Sequence, residues 1–479
     1  MPGPDIIILM PDQMRADCMG WAGNEVIRTP NLDALAAESV RFTRACTTSP
    51  LCMPARATFI SGTYSHNHGM WGNVARLPGH DETVFHHLQR AGYFTAHVGK
   101  SHYYQHVAGD HLRNWQPYMH ARGFDYVHET TGPWATAKTD SYMTDHWARE
   151  GLLAGFRDDY ERRRGNAGAT WPSPLPPDEH PDGYVGREAC QLLERADDDR
   201  PLAMFVGFPG PHEPWDAPGE WAEMYDPAAM PSPVPAPEPP EWLSDRARHY
   251  ALQARHEDLT PDDFARLGAN YYGKISLIDH WIGRIIEAQR ARGRLDDTVV
   301  ILWSDHGEML GDHLRLHKSV FFESAVRVPM MVRWPGLAQA GATCAEPVQQ
   351  IDIFRTLLDG LGLEPSQRAL GQSLLPLLPG EHQPREALSE VGNHTCLCTD
   401  HHKYVIDQSG EGLQLCDLQE DPSEQVNLCG REDARELEAD MRDRLLRFIA
   451  RTQVRMPRGP GAPLDVDPRV LLPFRANED

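Results

Sequence analysis

Residues 5–10, DIIILM, form an almost continuous apolar run that leads directly into the polar triplet PDQ at 11–13. Three other segments have the same character, at residues 93–98 (YFTAHV), 202–208 (LAMFVGF) and 298–303 (TVVILW). Runs of this kind are typical of strands that are covered on both faces. Amphipathic segments of helical length lie between them. The sequence therefore predicts an α/β fold, with a large, mostly parallel sheet that carries helices on both faces.

Polar side chains follow each of these four strands where the strand is predicted to end. They are Asp12 and Gln13, then Lys100 and His102, then His212, and finally Asp305 and His306. Ligands of open parallel sheets bind beyond the carboxyl ends of the strands. Taken singly, Asp12 is equally well explained as a helix cap. Their joint placement favours one shared site.

The segment LCMPARATFISG, residues 51–62, brings a cysteine to this edge of the sheet. Cys52 stands at the predicted start of a helix, with Pro54 in its first turn and Gly62 just past its end. Arg56 lies four residues further on, so that both side chains share one face. A helix N-terminus and an arginine fork both suit an oxyanion. The pattern predicts a nucleophile in an anion-binding site.

The charge, the apolar segments and the cysteines of the sequence indicate which partners and which compartment to expect. The formal net charge of −23 argues against a nucleic-acid-binding protein, which normally has a basic face. The N-terminal apolar run is too short for a signal sequence, and no segment approaches the roughly 20 apolar residues of a membrane span. The nine cysteines form no Cys-x-x-Cys pair, which indicates a reducing compartment. We therefore expect a cytoplasmic protein without membrane or nucleic-acid partners.

The pattern changes past residue 380. HKYVIDQ (402–408) and GLQLCDL (412–418) predict a pair of strands, and a charged helix is predicted from Arg431 to about Thr452. The length of 479 residues also favours two domains. We assign residues 1–380 to a catalytic domain, 381–455 to a smaller C-terminal α+β subdomain, and 456–479 to a tail that is a candidate contact in a homo-oligomer.

With these residues assembled, the chain resembles the type I sulfatases of the alkaline phosphatase superfamily. CMPAR at 52–56 matches that family's C-x-P-x-R maturation signal, and the similarity continues through ATFISG (57–62), DHGEMLGDH (305–313) and LCDLQEDPSEQVNL (415–428). The resemblance covers nearly the whole chain and lies near the choline-sulfatase and phosphonate monoester hydrolase branches. It implies an alkaline phosphatase-like fold and hydrolysis of a small sulfate ester to inorganic sulfate and an alcohol.

The resemblance also implies how the site is built. A formylglycine-generating enzyme would convert Cys52 to formylglycine, whose hydrate attacks sulfur with one hydroxyl and expels sulfate through the other. The implied ligands of one divalent cation are Asp12, Gln13, Asp305 and His306. The implied catalytic side chains are Arg56 and Lys100 at the developing charge, His102 at the formylglycine hydroxyl, and His212 and Lys318 at the leaving oxygen. Asn73 is the implied sulfate contact.

Two departures from the family pattern concern the metal. Many sulfatases have an acidic residue where Gln13 stands and an asparagine where His306 stands. We expect calcium on family grounds, with manganese and magnesium as alternatives, because an imidazole joins the oxygen ligands. Trp71 and Trp215 flank the catalytic residues, where they either line the pocket for the alcohol or pack in the core. A sugar, an aryl group and a choline-like group all suit such aromatic side chains.

Two other functions compete with the sulfatase interpretation. The first is a phosphonate monoester or phosphodiester hydrolase with the same nucleophile; those hydrolases typically carry tyrosine and threonine where this chain has Lys100 and His102. The second is a non-catalytic anion-binding protein in which Cys52 remains a thiol. A decayed site is disfavoured because every expected catalytic position is filled.

Overall fold

A computed structural model describes residues 3–78, 82–197, 199–364, 366 and 369–454. In this part of the chain, one eight-stranded sheet forms the centre of the molecule, in the strand order β4-β3-β5-β1-β6-β7-β2-β8. Its strands are β1 (Asp5–Asp12), β2 (Val40–Phe42), β3 (Phe94–Lys100), β4 (Tyr126–Thr130), β5 (Leu202–Pro211), β6 (Thr298–Trp303), β7 (Met330–Arg333) and β8 (Thr343–Cys344).

The four strands predicted from the sequence are β1, β3, β5 and β6, and they are neighbours in the sheet. β1 pairs in parallel with β5 on one side and β6 on the other, with Ile6 opposite Ala203 and Val299. β3 and β4 extend this parallel centre, whereas β7 runs antiparallel to β6 and β2. The prediction of a large, mostly parallel sheet is confirmed.

Helices cover both faces of the sheet. They are α1 (Pro30–Ala37), α2 (Cys52–Ser61), α3 (Ser65–His68), α4 (Val84–Arg90), α5 (Gln116–His120), α6 (Pro133–Thr136), α7 (Tyr142–Arg149), α8 (Leu153–Arg163), α9 (Pro181–Arg195), α10 (Asp245–Leu252), α11 (Pro261–Ala291), α12 (Glu323–Val326), α13 (Ile351–Gly360) and α14 (Arg435–Thr452). Alternate β1 residues enter two separate cores: Ile8 packs with helices such as α2, and Leu9 packs with helices such as α11. This alternation follows from the two-residue period of a strand.

Local contacts mark the starts of two helices. The long helix α11 begins at Pro261, where Thr260 and Asp263 form a capping box. Thr29 stands at the N-cap of α1 but accepts no hydrogen bond from a backbone N–H of that helix. Its hydroxyl accepts from the Gly20 N–H at 2.9 Å and donates to Asp33 Oδ1 of α1 at 3.2 Å.

The C-terminal region forms its own antiparallel sheet in the order β12-β11-β10-β9. Its strands are β9 (Ala387–Val391), β10 (His394–Cys398), β11 (His402–Asp407) and β12 (Gly412–Asp417). The sequence predicted only the last two. Met441 and Leu445 of α14 pack against this sheet in one cluster with Tyr404.

The smaller C-terminal α+β unit is therefore present, whereas the boundary between residues 380 and 381 stays a prediction. The predicted tail at 456–479 lies outside the described residues. None of the helices in the described ranges combines the length and the apolar character needed to cross a membrane.

Candidate active site

Helix α2 presents Cys52 at its N-terminus. Cys52 is the first residue of this helix, every residue of the helix is buried, and Gly62 ends it with φ of 70°, a left-handed conformation that glycine adopts without strain. The Met53 N–H donates to Asn73 Oδ1 at 3.1 Å, which places Asn73 beside the start of this helix. The Cys52 side chain thus lies where a helix favours negative charge.

Three of the predicted metal ligands surround Cys52. Its Sγ atom lies 3.1 Å from His306 Nε2 and 3.9 Å from Asp12 Oδ1. One ligand atom each from Asp12, Cys52, Asp305 and His306 lies within 4.8 Å of the others. The arrangement follows from the sheet, because Asp12 ends β1 and the other two follow the adjacent strand β6.

Arg56 joins the two carboxylates of this group. Its Nε donates to Asp305 Oδ2 at 2.8 Å and its Nη2 donates to Asp12 Oδ2 at 2.6 Å, while Lys100 Nζ also donates to Asp12 Oδ2. Burial and the Cys52 thiolate both raise the pKa of Asp12, but the charges of Lys100 and Arg56 outweigh them and lower it. Asp12 is therefore ionised at neutral pH.

The site stabilises negative charge at residue 52. Burial raises the pKa of the Cys52 thiol, but the charges of Lys100, Lys318 and His306 outweigh burial and lower that pKa well below its ordinary value. His306 itself is buried, which lowers its pKa, but the neighbouring carboxylate raises the pKa to about 9. The same field would stabilise an oxyanion on any side chain at this position.

His102 behaves differently from His306. Burial lowers its pKa to about 4, although the neighbouring Cys52 raises it, so that its imidazole is neutral near pH 7. A neutral imidazole near residue 52 is suited to accept a proton.

His212 and Lys318 form a pair on a second side of the site. Lys318 Nζ lies 2.6 Å from His212 Nε2, and His212 Nδ1 lies 2.6 Å from the backbone oxygen of Glu213. With Nδ1–H donated to that carbonyl, Nε2 accepts from the lysine. Burial lowers the pKa of Lys318, but the charges of Cys52 and Glu213 outweigh it and raise the pKa. Lys318 is therefore protonated at neutral pH.

Gln13 contacts this pair rather than the three metal-ligand candidates around Cys52. Its Nε2 donates to Glu213 Oε2 at 2.8 Å and to Glu308 Oε2, and its Oε1 accepts from Lys318 Nζ. Only its backbone joins the other group, since Gln13 N–H donates to Asp305 Oδ1 at 3.0 Å. The role of Gln13 as a metal ligand stays a prediction.

The donor set at Cys52 fits a divalent cation. Asp12 and Asp305 supply carboxylate oxygens and His306 supplies an imidazole nitrogen, all buried and converging on residue 52. Carboxylates are ligands of calcium, magnesium and manganese alike, and imidazole also suits transition metals. The residues therefore match the implied metal by their chemistry.

The two predicted substrate-side tryptophans occupy different environments. Trp71 is 37% exposed, whereas Trp215 is 3% exposed. The Trp215 ring lies nearly parallel to the His317 ring, with 6.3 Å between the centroids.

Glu213, Glu308 and His317 form a second cluster of possible ligand atoms beside Gln13 and Lys318, and none of the three was predicted from the sequence. Glu213 follows His212 directly and Glu308 lies in the quoted DHGE motif, so adjacency to assigned residues was the available signal.

The arrangement matches a known family. The sulfatase family profile matches residues 4–363, and the profile of the C-terminal region of N-sulphoglucosamine sulphohydrolase matches residues 311–451. The chain is 31% identical over 461 residues to an arylsulfatase of Clostridium perfringens (strain 13 / Type A), covering 90% of this chain and 92% of the relative. It is 30% identical over 444 residues to a choline-sulfatase of Rhizobium meliloti (strain 1021), covering 89% and 82%.

Solved structures agree with this assignment. The phosphonate monoester hydrolase of Agrobacterium radiobacter superimposes with a TM-score of 0.77 at 25% identity, covering 94% of this chain and 96% of that chain. The fold and the sequence relationships point the same way, and this chain is a hydrolase that belongs to the sulfatase family.

Proposed function

We propose that the protein hydrolyses a small sulfate ester with a formylglycine made from Cys52 and with one divalent cation, releasing inorganic sulfate and an alcohol. The observation that carries this proposal is the position of the Cys52 Sγ atom, 3.1 Å from His306 Nε2 and 3.9 Å from Asp12 Oδ1 at the start of a buried helix. A formylglycine-generating enzyme is the partner that this maturation requires.

The cofactors supply two kinds of chemistry. The formylglycine hydrate offers one hydroxyl as nucleophile and a second whose deprotonation expels sulfate. A cation held by Asp12, Asp305 and His306, with Ca²⁺ as first choice and Mn²⁺ or Mg²⁺ as alternatives, supplies Lewis-acid polarisation and charge neutralisation when bound.

The side chains of the site divide the remaining work. Arg56 and Lys100 carry positive charge next to residue 52 and lower the free energy of the negative charge that develops on the transferred group. His102 is neutral and neighbours residue 52, so it takes the proton when sulfate leaves. Lys318 and His212 share a hydrogen bond and deliver a proton to the leaving oxygen.

A second candidate function has a specific observation in its favour. The ligand group combines two carboxylates with a histidine, and a phosphonate monoester hydrolase superimposes on 94% of this chain. Sulfuryl and phosphoryl groups have the same tetrahedral geometry and differ in charge. Against it, Lys100 and His102 stand where the resemblance to those hydrolases implies tyrosine and threonine, so phosphonate turnover is proposed as the weaker activity.

The test combines mass spectrometry with two substrates. The protein is co-expressed with a formylglycine-generating enzyme, and the peptide that contains residue 52 is weighed to establish conversion. Rates are then compared on 4-nitrophenyl sulfate and a 4-nitrophenyl phosphonate ester. Faster sulfate release by the converted protein supports the proposal. A faster phosphonate reaction favours the second candidate, and no turnover of either by fully converted protein contradicts both.

A further inference from the structure

A buried lysine lies directly beneath the loop that carries His212. Lys274, in the middle of α11, has no measurable exposure, and its Nζ atom donates to the backbone oxygens of His212 at 2.7 Å and Pro214 at 2.9 Å. It also pairs with Asp216 Oδ1 at 2.9 Å. All three protons of the ammonium group therefore have acceptors, and all three acceptors belong to residues 212–216.

Two further side chains contact the Asp216 carboxylate of this ion pair. Asp216 is completely buried and accepts a hydrogen bond from Tyr160 Oη at 2.8 Å, and His180 Nε2 lies 3.5 Å from its other oxygen. Burial raises the pKa of Asp216, but the charges of Lys274 and His180 outweigh it and lower the pKa. The carboxylate is thus charged and supported from two sides.

A lysine at this place is unexpected for packing alone. Its neighbours Tyr271, Ile275 and Ile278 on α11 belong to an apolar core. Burying a charge there carries a large desolvation penalty. An apolar residue of similar volume would often make the fold equally stable. Packing alone therefore does not explain the Lys274 ammonium group. Its three hydrogen-bond acceptors lie in one loop, which indicates that the group holds that loop in place.

The loop of residues 212–216, which Lys274 binds, contributes both His212 and Trp215 to the proposed site. His212 meets Lys318 through Nε2 at 2.6 Å, on the side where the alcohol leaves. Trp215 lines a cavity of about 310 Å³, together with Glu213, His256 and His317. Since Lys274 binds the carbonyls on either side of Glu213, one ammonium group fixes both the imidazole of the proposed acid pair and this wall of the cavity.

We propose that Lys274 is a positioning residue for protonation of the leaving alcohol. It acts through the backbone, by holding the carbonyls of residues 212 and 214 so that the His212 imidazole faces Lys318 and the scissile oxygen. The inference rests on the proposed sulfate-ester hydrolysis and extends it to a residue outside the reacting groups. A displacement of about 1 Å in such a group can cost on the order of 10²-fold in rate.

The test uses the dependence of rate on the leaving group. A good leaving group such as 4-nitrophenolate departs with little help from an acid, whereas phenolate needs more. We expect Lys274→Met to lower kcat on phenyl sulfate by about 10²-fold and to change kcat on 4-nitrophenyl sulfate much less. The matched control is Lys403→Met, which removes another buried lysine, the residue of β11 that pairs with Glu323 and Glu424. The control should affect both substrates equally.

A second variant separates positioning from loss of stability. Lys274→Met alone leaves Asp216 charged and short of its main partner, which destabilises the fold. The double variant Lys274→Met with Asp216→Asn removes both charges and keeps a carbonyl oxygen that accepts from Tyr160. Circular dichroism confirms folding before rates are measured, and this variant should show the same selective loss on phenyl sulfate.

The outcomes distinguish the two proposals. An equal loss on both substrates in the folded double variant, or no loss, overturns the positioning role of Lys274. No sulfate release by the converted parent enzyme overturns the proposed function instead, independently of any Lys274 variant.

Discussion

Lys318 and His212 lie in direct contact, with 2.6 Å between Nζ and Nε2. The two residues are 106 positions apart in the chain, and the sheet edge brings them together after β5 and β6. Because Nδ1 of the histidine faces the Glu213 carbonyl at 2.6 Å, Nε2 is left to exchange a proton with the lysine. Under the proposed function, we expect the pair to act as one acid.

A shared proton predicts non-additive kinetics. We expect His212→Gln and Lys318→Met each to lower kcat on phenyl sulfate by about 10² to 10³-fold. The double variant should lose about as much as the worse single variant, because either change already breaks the acid. Steady-state rates of the three variants provide the check, and losses that multiply would show two independent roles.

Substitutions of Cys52 test the proposed nucleophile, which is made from this residue. Cys52→Ala should lower turnover by at least about 10⁴-fold while thermal unfolding stays within a few degrees of the parent. Cys52→Ser should release about one equivalent of alcohol and then stop, because a single hydroxyl has no second group with which to expel sulfate. Cys18→Ala, at another buried free cysteine, is the control and should retain turnover. Repeated turnover by the alanine variant would remove residue 52 from the mechanism.

Cation binding should raise the stability of the parent. At about 100 times its dissociation constant a bound ion adds about 2.7 kcal/mol to the free energy of unfolding. We expect Ca²⁺ or Mn²⁺ added to chelator-treated protein to raise the melting temperature, and Asp305→Asn to reduce this shift greatly. Asp279→Asn removes a buried carboxylate that instead binds the start of α1, so it should leave the shift intact. Equal shifts in both variants would place the ion elsewhere.

Glu129 predicts a pH dependence of stability. Burial raises its pKa from 4.5 to about 7, although Ser101 and Tyr104 donate hydrogen bonds to it. The folded state therefore binds a proton more tightly than the unfolded chain, so its contribution is complete below about pH 4.5 and is lost as pH rises through 7. The loss amounts to about 3 kcal/mol.

Glu129→Gln should remove this dependence. The variant should unfold at higher denaturant concentration than the parent at pH 8, with little advantage at pH 4.5. Unfolding curves across this range provide the measurement. A parent and variant with parallel pH profiles would show that Glu129 does not titrate as inferred.

Much of the sheet was predictable because its central strands are covered on both faces. β1, β3, β5 and β6 are apolar runs that stand out locally, and their order of pairing places their carboxyl ends together. β2, β7 and β8 have only three, four and two residues, too few to display a strand period. β9 contains the buried polar residues Ser389 and Glu390, which weaken its apolar signal.

In the site, too, some features follow from local sequence and others depend on distant residues. Cys52 and Arg56 share a face because helical spacing dictates it, and the strand ends place Asp12 and Asp305 beside them. The direction of the Gln13 side chain depends on Glu213, Glu308 and Lys318, which are distant in sequence, so local spacing carries no information about it.

The burial of α2 sets an order of events for maturation. Cys52 is 1% exposed, and the helix that it begins is buried along its whole length. An enzyme that oxidises a thiol must enclose the residue and its neighbours, and the finished fold offers no such access to this side chain. If residue 52 becomes an aldehyde, the chemistry must precede folding, while the segment is still an open peptide. Folding would then seal the new group inside the site.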